Sequence, residues 1–343
     1  MATVIVGIDE AGYGPTLGPL CVGCAAFRIE NDDAGTDLWK ILKTAVCREP
    51  GRGGATSKSG RIAIADSKEL KLSNSVKTTK PTVHLERGVL TFLHAMDRAA
   101  HGAVTPSFIT TDTMLFERLG ADFGDHPCYG GACRPVPEAI TEGEIRIGAS
   151  KLAGAMQKNG VSLLRLACRA VPERAFNDVV RATGSKAETT AVAIVEHMRG
   201  AWDAWSDTAG GTRLGIVCDR LGGRMCYAPL LERAIPGAAI EIVEETDLRS
   251  RYIVTDGPRR AGVAFLTEGE SGHMPIALAS MAAKLTRELA MARFNRYWAG
   301  IGLERGVIEL RPTAGYSQDA QRWMVDASAL LTADDRAGLV RIA

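Results

Sequence analysis

Four acidic residues occupy positions in the sequence that suit metal-assisted chemistry. They are Asp9, Glu10, Asp219 and Glu288. The first two follow an apolar, β-branched run and precede a glycine-rich loop, the third ends another apolar run (GIVCD), and the fourth lies in a long helical pattern after the letters AAKLTR. Carboxylates that a fold brings together repel one another unless a cation neutralises them. Hard oxygen ligands of this kind suit Mg²⁺ or Mn²⁺.

Such a set of carboxylates predicts a particular class of reaction. Two divalent ions about 3.5–4 Å apart can activate a water molecule and stabilise the leaving oxygen of a phosphodiester. For any single acid, however, the alternative is a solvated end of a strand or helix, since acidic side chains mostly stay exposed. The hypothesis therefore depends on elements that bring the four residues together.

Hydrophobic periodicity predicts the elements that would position these acids. Strands are expected over residues 3–8, 20–27, 161–171, 214–218 and 239–243, and helices over residues 85–96, 187–205 and 276–298. Alternating strands and helices favour an α/β architecture. Strand ends in a central sheet converge, and a helix packed nearby can add one more carboxylate. Residues 31–60 and 101–147 lack sustained periodicity, which indicates a loop insertion and an irregular insertion or small subdomain.

Composition limits the partners of the chain. The 343 residues include 41 Lys and Arg against 40 Asp and Glu, a net charge of +1. A nucleic acid would therefore have to bind through a local basic patch or through metal ions. No apolar run approaches the roughly 20 residues that span a bilayer. The first residues also lack the features of a secretory signal, so we expect no membrane association and a cytoplasmic location.

The eight cysteines do not indicate a structural metal or a disulfide framework. Cys21 and Cys24 lie in a predicted strand, where alternation sends residues three apart to opposite faces. Cys128 and Cys133 lie near His126, but no second cluster supplies the four ligands of a structural zinc. We expect buried or incidental thiols.

The text around the acids resembles a known family. GIDEAGYGPTLGPL at residues 7–20 is similar to the opening signature of the type 2 ribonucleases H, ribonucleases HII and HIII. ALASMAAKLTRE at residues 277–288 resembles a second motif of that family, and four shorter matches keep the same order: ADSKEL at 65–70, AFN at 175–177, IVCD at 216–219 and AGYSQD at 314–319. The resemblance spans the framework of the chain but not residues 31–60 and 101–147.

The resemblance implies a role for each matching residue. The metal-binding carboxylates of the family fall on the four acids named above, with glutamate at position 288 as in ribonuclease HIII. Its reader of the ribose 2′-hydroxyl falls on Gly12, Tyr13 and Gly14, and its tyrosine near the scissile junction on Tyr316. Lys68 and Arg287 are candidates for phosphate contacts by charge and neighbourhood, or equally salt-bridge partners of the acidic cluster.

Two departures from the family pattern remove positive charge. Tyr13 replaces the Arg or Lys that the family places between its two glycines, and Thr313 and Ala314 stand where the family usually has His-Lys. With a net charge of +1, these changes predict weaker binding of polyanions than in a typical family member. They also put strict specificity for ribonucleotides in question.

Together these observations predict one ribonuclease HII-like domain over residues 1–343, with a ribonuclease H-like mixed central sheet flanked by helices, a helical C-terminal portion and the two insertions. The implied activity is cleavage, dependent on two Mg²⁺ or Mn²⁺ ions, of the RNA strand of RNA–DNA hybrids or at ribonucleotides in duplex DNA. The products would carry 5′-phosphate and 3′-hydroxyl ends. The alternatives are a phosphodiesterase of the same fold acting on another nucleic-acid structure and a non-catalytic nucleic-acid-binding protein.

Overall fold

A mixed β-sheet forms the centre of a computed structural model of the chain, which describes residues 1–30, 36–51, 56–57, 59–72, 80–101, 107–208, 210–222, 224–306 and 309–342. Seven strands build this sheet: β1 (Ala2–Ala11), β2 (Leu20–Ile29), β5 (Val161–Val171), β6 (Thr212–Asp219), β7 (Ala239–Glu245), β8 (Arg249–Asp256) and β9 (Arg259–Leu266). Two short strands, β3 (Val46–Cys47) and β4 (Ile62–Ala63), pair separately. The order across the sheet is β5-β2-β1-β6-β9-β8-β7.

Parallel strands lie in the middle of the sheet and antiparallel strands at its margins. β1 is parallel to β6, and β6 is parallel to β9. β2 and β5 on one side, and β8 and β7 on the other, pair antiparallel. The predicted mixed central sheet is therefore confirmed. The parallel pair β1–β6 also ends at one edge, because Ile8 lies opposite Cys218.

Helices cover both faces of the sheet. They are α1 (Leu38–Ile41), α2 (Ser67–Leu70), α3 (Val83–His101), α4 (Asp112–Leu119), α5 (Glu142–Lys158), α6 (Glu173–Thr183), α7 (Ala187–Trp205), α8 (Ala228–Ala234), α9 (Gly269–Gly272), α10 (Met274–Glu304), α11 (Ser317–Asp326) and α12 (Ala333–Leu339). α10 and α3 contribute to the core on one face, and α7 and α8 to the core on the other. In the part of the chain described here, no helix is both long and apolar enough to span a bilayer.

The alternation of β2 explains how one strand serves two cores. Val22 and Cys24 point into the core that contains α7, while Cys21 and Phe27 point into the core that contains α10. Cys21 and Cys24 are thus buried on opposite faces, as expected for a strand. Cys128 is buried and Cys133 exposed, and both are free thiols.

The backbone of α10 lies directly on the sheet because two strand residues have no side chain. A Cβ atom at Gly7 would overlap the backbone of Pro275, and one at Gly23 would overlap the carbonyl group of Ala279. Residues around the whole circumference of α10 are buried, which is typical of a helix enclosed by its own protein. This close approach holds α10 against β1, which carries Asp9 and Glu10, and against the neighbouring β2.

Most predicted elements are present. The strand over 161–171 and the helix over 187–205 have the bounds of β5 and α7, and the other predicted segments lie within β1, β2, β6, β7, α3 and α10. The hairpin of β8 and β9 was not predicted, although β8 alternates between exposed and buried residues.

The two predicted insertions contain ordered elements. α1, β3 and α4 lie within them, and α5 begins at Glu142. A buried pair between Asp112 and Arg293, 2.6 Å apart, ties α4 to α10. Residues 31–35, 52–55, 58 and 102–106 of these insertions lie outside the described residues.

The packing of α10 on the sheet predicts that Gly23→Ala is strongly destabilising. The added methyl group would displace helix backbone rather than a flexible side chain, and overpacking of this kind costs about 1–3 kcal/mol or more. Gly262→Ala in β9 is the matched control, since nothing lies within 4 Å of its Cβ position. Its free energy of unfolding should change by less than about 0.5 kcal/mol. Urea unfolding measures both, and equal losses would contradict the close packing.

Candidate active site

Three of the predicted acids meet at the ends of two neighbouring parallel strands. Asp9 and Glu10 are near the end of β1, and Asp219 is the last residue of β6. The pairing of Ile8 with Cys218 places the residues that follow them at one edge of the sheet. Asp9 is only 7% exposed. The sequence pattern of an acid at the end of an apolar strand thus located this edge.

These three carboxyl groups act on one another. Burial raises the pKa of Asp9 well above its usual value, and the charges of Glu10 and Asp219 raise it further, against hydrogen bonds from Ser280 and the Glu10 amide. Burial, followed by the charge of Asp219, raises the pKa of Glu10 to about 7. Burial also raises the pKa of Asp219. Desolvated like charges are the physical cause.

Glu270 is a fourth acid at this edge, and the sequence analysis did not identify it. It lies in α9, the short helix between β9 and α10, and is 8% exposed. Its carboxyl group is within hydrogen-bonding reach of Asp219. Burial and the charges of Asp219 and Asp66 raise its pKa. Its Oε2 atom is buried without a hydrogen-bond partner among the described residues.

A sharp turn brings Glu270 to Asp219. Glu268 adopts a left-handed conformation with φ of 54°, which is uncommon for a residue other than glycine. The next residue, Gly269, donates its amide hydrogen to Oδ1 of Asp219 at 3.1 Å. A side chain at Gly269 would also press on Ile276, since its Cβ would lie 2.7 Å from Cδ1 of that residue. Glu268–Glu270 is therefore folded onto the end of β6.

Glu288 pairs with lysines and not with Asp9, Glu10 or Asp219. Its carboxylate pairs with Lys71 at 3.7 Å and with Lys284 at 3.1 Å. Ser280, which hydrogen-bonds Asp9, lies eight residues earlier on α10, a rise of about 12 Å along the helix axis. In the described residues the fourth acid that acts on Asp219 is therefore Glu270, while Glu288 pairs with two lysines. The role of Glu288 as a metal ligand stays a prediction.

Lys68 supplies positive charge beside the acids. Asp66 caps α2 by accepting the Lys68 amide at 2.9 Å. Burial opposes the charged form of Lys68, but the charges of Asp66, Glu270, Asp9 and Asp219 outweigh it and raise its pKa. The side chain is exposed, so its ammonium group can reach both the acids and a ligand.

The glycine-rich loop after β1 presents an open backbone. Gly12 has a φ of 91°, and a Cβ there would lie 2.6 Å from Cδ of Arg287, so both conformation and packing require glycine. Gly14 is exposed, with nothing within 4 Å of its Cβ position. Tyr13 is 37% exposed, and Nζ of Lys186 lies 5.3 Å from the centre of its ring.

Arg287 is buried and binds backbone. It is 1% exposed and donates hydrogen bonds to the backbone carbonyl groups of Pro19, Leu17 and Ala314. Its roles as a phosphate contact or as a salt-bridge partner of the acids stay predictions. Tyr316, by contrast, is 47% exposed, with Nζ of Lys284 6.0 Å from its ring centre.

A second buried arginine holds the same loop. Arg341 is 3% exposed and donates to the carbonyl groups of Gly12, Pro15 and Gly18. Burial, with the nearby charge of Arg287, lowers the pKa of Arg341 to about 9. The backbone of the loop is thus fixed by two guanidinium groups.

Metal binding by these acids depends on the chemistry of the donors rather than on a preformed site. Among the residues that the structure describes, no group of three or more His, Cys, Asp or Glu side chains is arranged so that it could hold a metal ion. The donors nevertheless suit a hard cation, because the carboxyl groups of Asp219 and Glu270 lie within hydrogen-bonding reach of each other and burial raises the pKa of both. The unpartnered Oε2 of Glu270 is a further oxygen that lacks a donor. A cation with oxygen ligands would satisfy both and relieve the repulsion.

Comparison with known proteins concerns the fold. No family model and no curated relative matches the sequence. Among solved structures, ribonuclease HII of Archaeoglobus fulgidus, in complex with PCNA, is 13% identical, with 99% of this chain and 94% of that chain covered and a TM-score of 0.38. Ribonuclease H2 of Pyrococcus horikoshii OT3 is 13% identical, with 97% of this chain and 93% of that chain covered and a TM-score of 0.41. Bst-RNase HIII in complex with Mn²⁺ is 12% identical, with 99% of this chain and 66% of that chain covered and a TM-score of 0.40.

These three likenesses have TM-scores of 0.38–0.41 and identities of 12–13%, and they assign neither a family nor a chemistry to this chain. The chemistry has to come from the side chains of this chain.

The repulsion among the acids predicts that, in EDTA, stability falls as pH rises. The pKa of Glu10 is about 7 in the folded chain against an ordinary 4.5. The contribution of the protonated Glu10 carboxyl group to the free energy of unfolding is therefore fully present below about pH 4.5, and it is lost as pH rises through about 7. Glu10→Gln should flatten this part of the dependence of the unfolding free energy on pH, whereas the exposed control Glu232→Gln should not. Identical profiles for the two variants would contradict the repulsion.

The guanidinium contacts predict that Arg341→Met destabilises the chain. The carbonyl groups of Gly12 and Gly18 would lose their donor, at about 1–3 kcal/mol for each that water cannot reach, offset in part by removal of the repulsion from Arg287. We expect a net loss of about 2 kcal/mol. Arg181→Met, which removes an exposed ion pair with Asp178, should cost under about 1 kcal/mol. Thermal unfolding distinguishes the two.

Proposed function

We propose that this protein is a divalent-metal-dependent endonuclease that cleaves the RNA strand of RNA–DNA hybrids or cuts at ribonucleotides in duplex DNA. The products would carry 5′-phosphate and 3′-hydroxyl ends. Asp9, Glu10, Asp219 and Glu270 would hold Mg²⁺ or Mn²⁺. The metal would supply an activated water and neutralise charge on the phosphate during attack.

One observation carries this proposal: buried carboxyl groups that raise one another's pKa lie at a single sheet edge. Repulsion of this kind costs stability, and a protein that only binds polyanions gains nothing from buried negative charge. Perturbed acids that share a cleft are typical of catalytic sites. The closeness of Asp219 and Glu270 strengthens the argument, since a cation between two carboxyl groups would relieve their repulsion.

The chain's own side chains would position the substrate. A cavity of about 380 Å³ on one side of the acids is lined by Lys68, Asp66 and Glu270. A second, of about 200 Å³, is lined by Glu10, Tyr13 and Thr190. In this proposal the nucleic-acid strand that is cleaved runs between the two cavities, and Lys68 contacts one of its phosphate groups. Its ammonium group is exposed yet close to the acids.

Recognition of ribose would fall to the loop after β1 and to Tyr316. Gly14, with nothing within 4 Å of its Cβ position, lets a sugar approach the backbone beside Gly12 closely, and the exposed Tyr13 and Tyr316 rings can contact a sugar or base. A 2′-hydroxyl group can be read by hydrogen bonds and by an aromatic neighbour. Because Tyr13 carries no positive charge, it would contribute contact area rather than phosphate binding.

Substitution of the acids tests the nuclease proposal. Asp9→Asn, Asp219→Asn and Glu270→Gln should each lower the rate of metal-dependent cleavage by about 10²-fold or more, the loss typical of removing a key electrostatic group. Glu288→Gln tests the fourth acid that the family resemblance implies, and we expect it to lower the rate far less, because its carboxylate pairs with two lysines. Cleavage is measured with Mg²⁺ and Mn²⁺ on a hybrid, a duplex with one ribonucleotide, plain duplex DNA and branched DNA.

The results separate the alternatives. Cleavage confined to plain or branched DNA would indicate a phosphodiesterase for another nucleic-acid structure. Binding unaffected by EDTA, with no cleavage in Mn²⁺, would indicate a non-catalytic binder. Unchanged cleavage by Asp9→Asn or Asp219→Asn protein would overturn the assignment of the site.

A further inference from the structure

A large open groove lies beside the candidate active site, in the predicted insertion at residues 31–60. Its volume is about 1050 Å³, and its lining includes Trp39, Lys40, Lys43, Arg48 and Arg61. Here it is called the basic groove. The family resemblance does not cover this segment, so the resemblance assigns no role to the groove.

Arg48 connects the basic groove to the acids. It lines both the groove and the 380 Å³ cavity that contains Glu270. Its guanidinium group lies 3.6 Å from the centre of the Trp39 ring and donates a hydrogen bond to the carbonyl group of Ser271. Trp39 is itself fixed, because it is buried and donates its indole N–H to the Ile64 carbonyl at 2.9 Å. Arg48 is therefore held in place at the junction.

The other cations of the basic groove are oriented by their own segment. Arg61 donates to the Ser59 hydroxyl at 2.6 Å and to the Lys43 carbonyl at 3.4 Å. Lys43 is exposed, and the Lys40 side chain is 84% exposed, with Asp37 at 3.8 Å. An exposed pair at that distance contributes little to stability. Both ammonium groups thus remain accessible to a ligand.

The net charge of the lining side chains changes sign between the basic groove and the 380 Å³ cavity. The groove is lined by four basic and two acidic side chains, Asp37 and Glu49. The adjoining cavity is lined by two basic and four acidic side chains, namely Asp66, Glu69, Glu268 and Glu270. A polyanion would therefore be repelled at the acids without a cation and attracted in the groove.

We propose that the basic groove binds the sugar–phosphate backbone of the nucleic acid at phosphates beyond the one that is cleaved. This inference rests on the proposed function, because it takes the acids to be the cleavage site. The volume of the groove, about 1050 Å³, lies just above the roughly 300–1,000 Å³ of typical small-ligand pockets, and its four cations come from separate positions of the chain between Lys40 and Arg61. It would also supply positive charge that Tyr13, Thr313 and Ala314 do not.

The test compares charge variants of the full-length chain in binding and cleavage. Lys43→Glu and the double variant Lys40→Gln/Lys43→Gln should weaken binding of a hybrid duplex that extends beyond the acids on both sides. Binding is measured in EDTA over a range of salt concentrations. Each phosphate contact that is lost should reduce the slope of log K against log salt by about 0.9, or about eightfold in affinity at 0.1 M salt. Lys158→Glu, at the end of α5, is the matched control.

Cleavage adds a second readout. In Mg²⁺, Lys43→Glu should raise KM and leave kcat unchanged, as expected for loss of uniform binding. If the Lys43→Glu protein binds the hybrid with the same affinity and salt slope as the Lys158→Glu protein, the proposed role of the groove is wrong, even if the wild-type protein is a nuclease. Conversely, salt-dependent binding that the Lys43→Glu change weakens would support the groove even if no cleavage is found. Circular dichroism confirms that the variants are folded.

Discussion

Repulsion among carboxyl groups at the ends of β1 and β6 is the constraint on which the rest of the structure depends. Asp9 is buried at this edge and Glu10 is close to it, while the carboxyl groups of Asp219 and Glu270 lie within hydrogen-bonding reach of each other. Bringing such groups together costs free energy that the surrounding packing has to offset. The glycines under α10 and the turn at Glu268 fix the elements that carry the acids. The result is a rigid group of oxygens whose charge a cation would balance.

Much of the fold, and part of the site, follows from the sequence. Apolar runs of the right period identify β1, β5 and α7 because each element has at least one buried face. An acid directly after such a run identifies Asp9 and Asp219, since parallel neighbours end at the same edge. These inferences succeed because they use only local pattern and one rule of sheet geometry.

The remaining features depend on contacts that local pattern does not contain. Glu270 reaches Asp219 through the left-handed turn at Glu268, a conformation that nothing in the residue type predicts. Glu288 lies on the predicted helix, but the sequence does not tell which turn of a 31-residue helix crosses the sheet edge. The net charge of +1 likewise conceals the separation of an acidic centre from a basic groove. Charge distribution is a property of the folded surface.

The contacts of Arg341 have a consequence for synthesis of the chain. Gly12 and Gly18 lie 329 and 323 residues before the arginine whose guanidinium group binds their carbonyl oxygens. A ribosome-bound polypeptide therefore makes the loop of the candidate site more than 320 residues before the arginine that completes it. A nascent chain that stops short of this residue would hold the acids of β1 beside a loop that lacks one of its two buried supports.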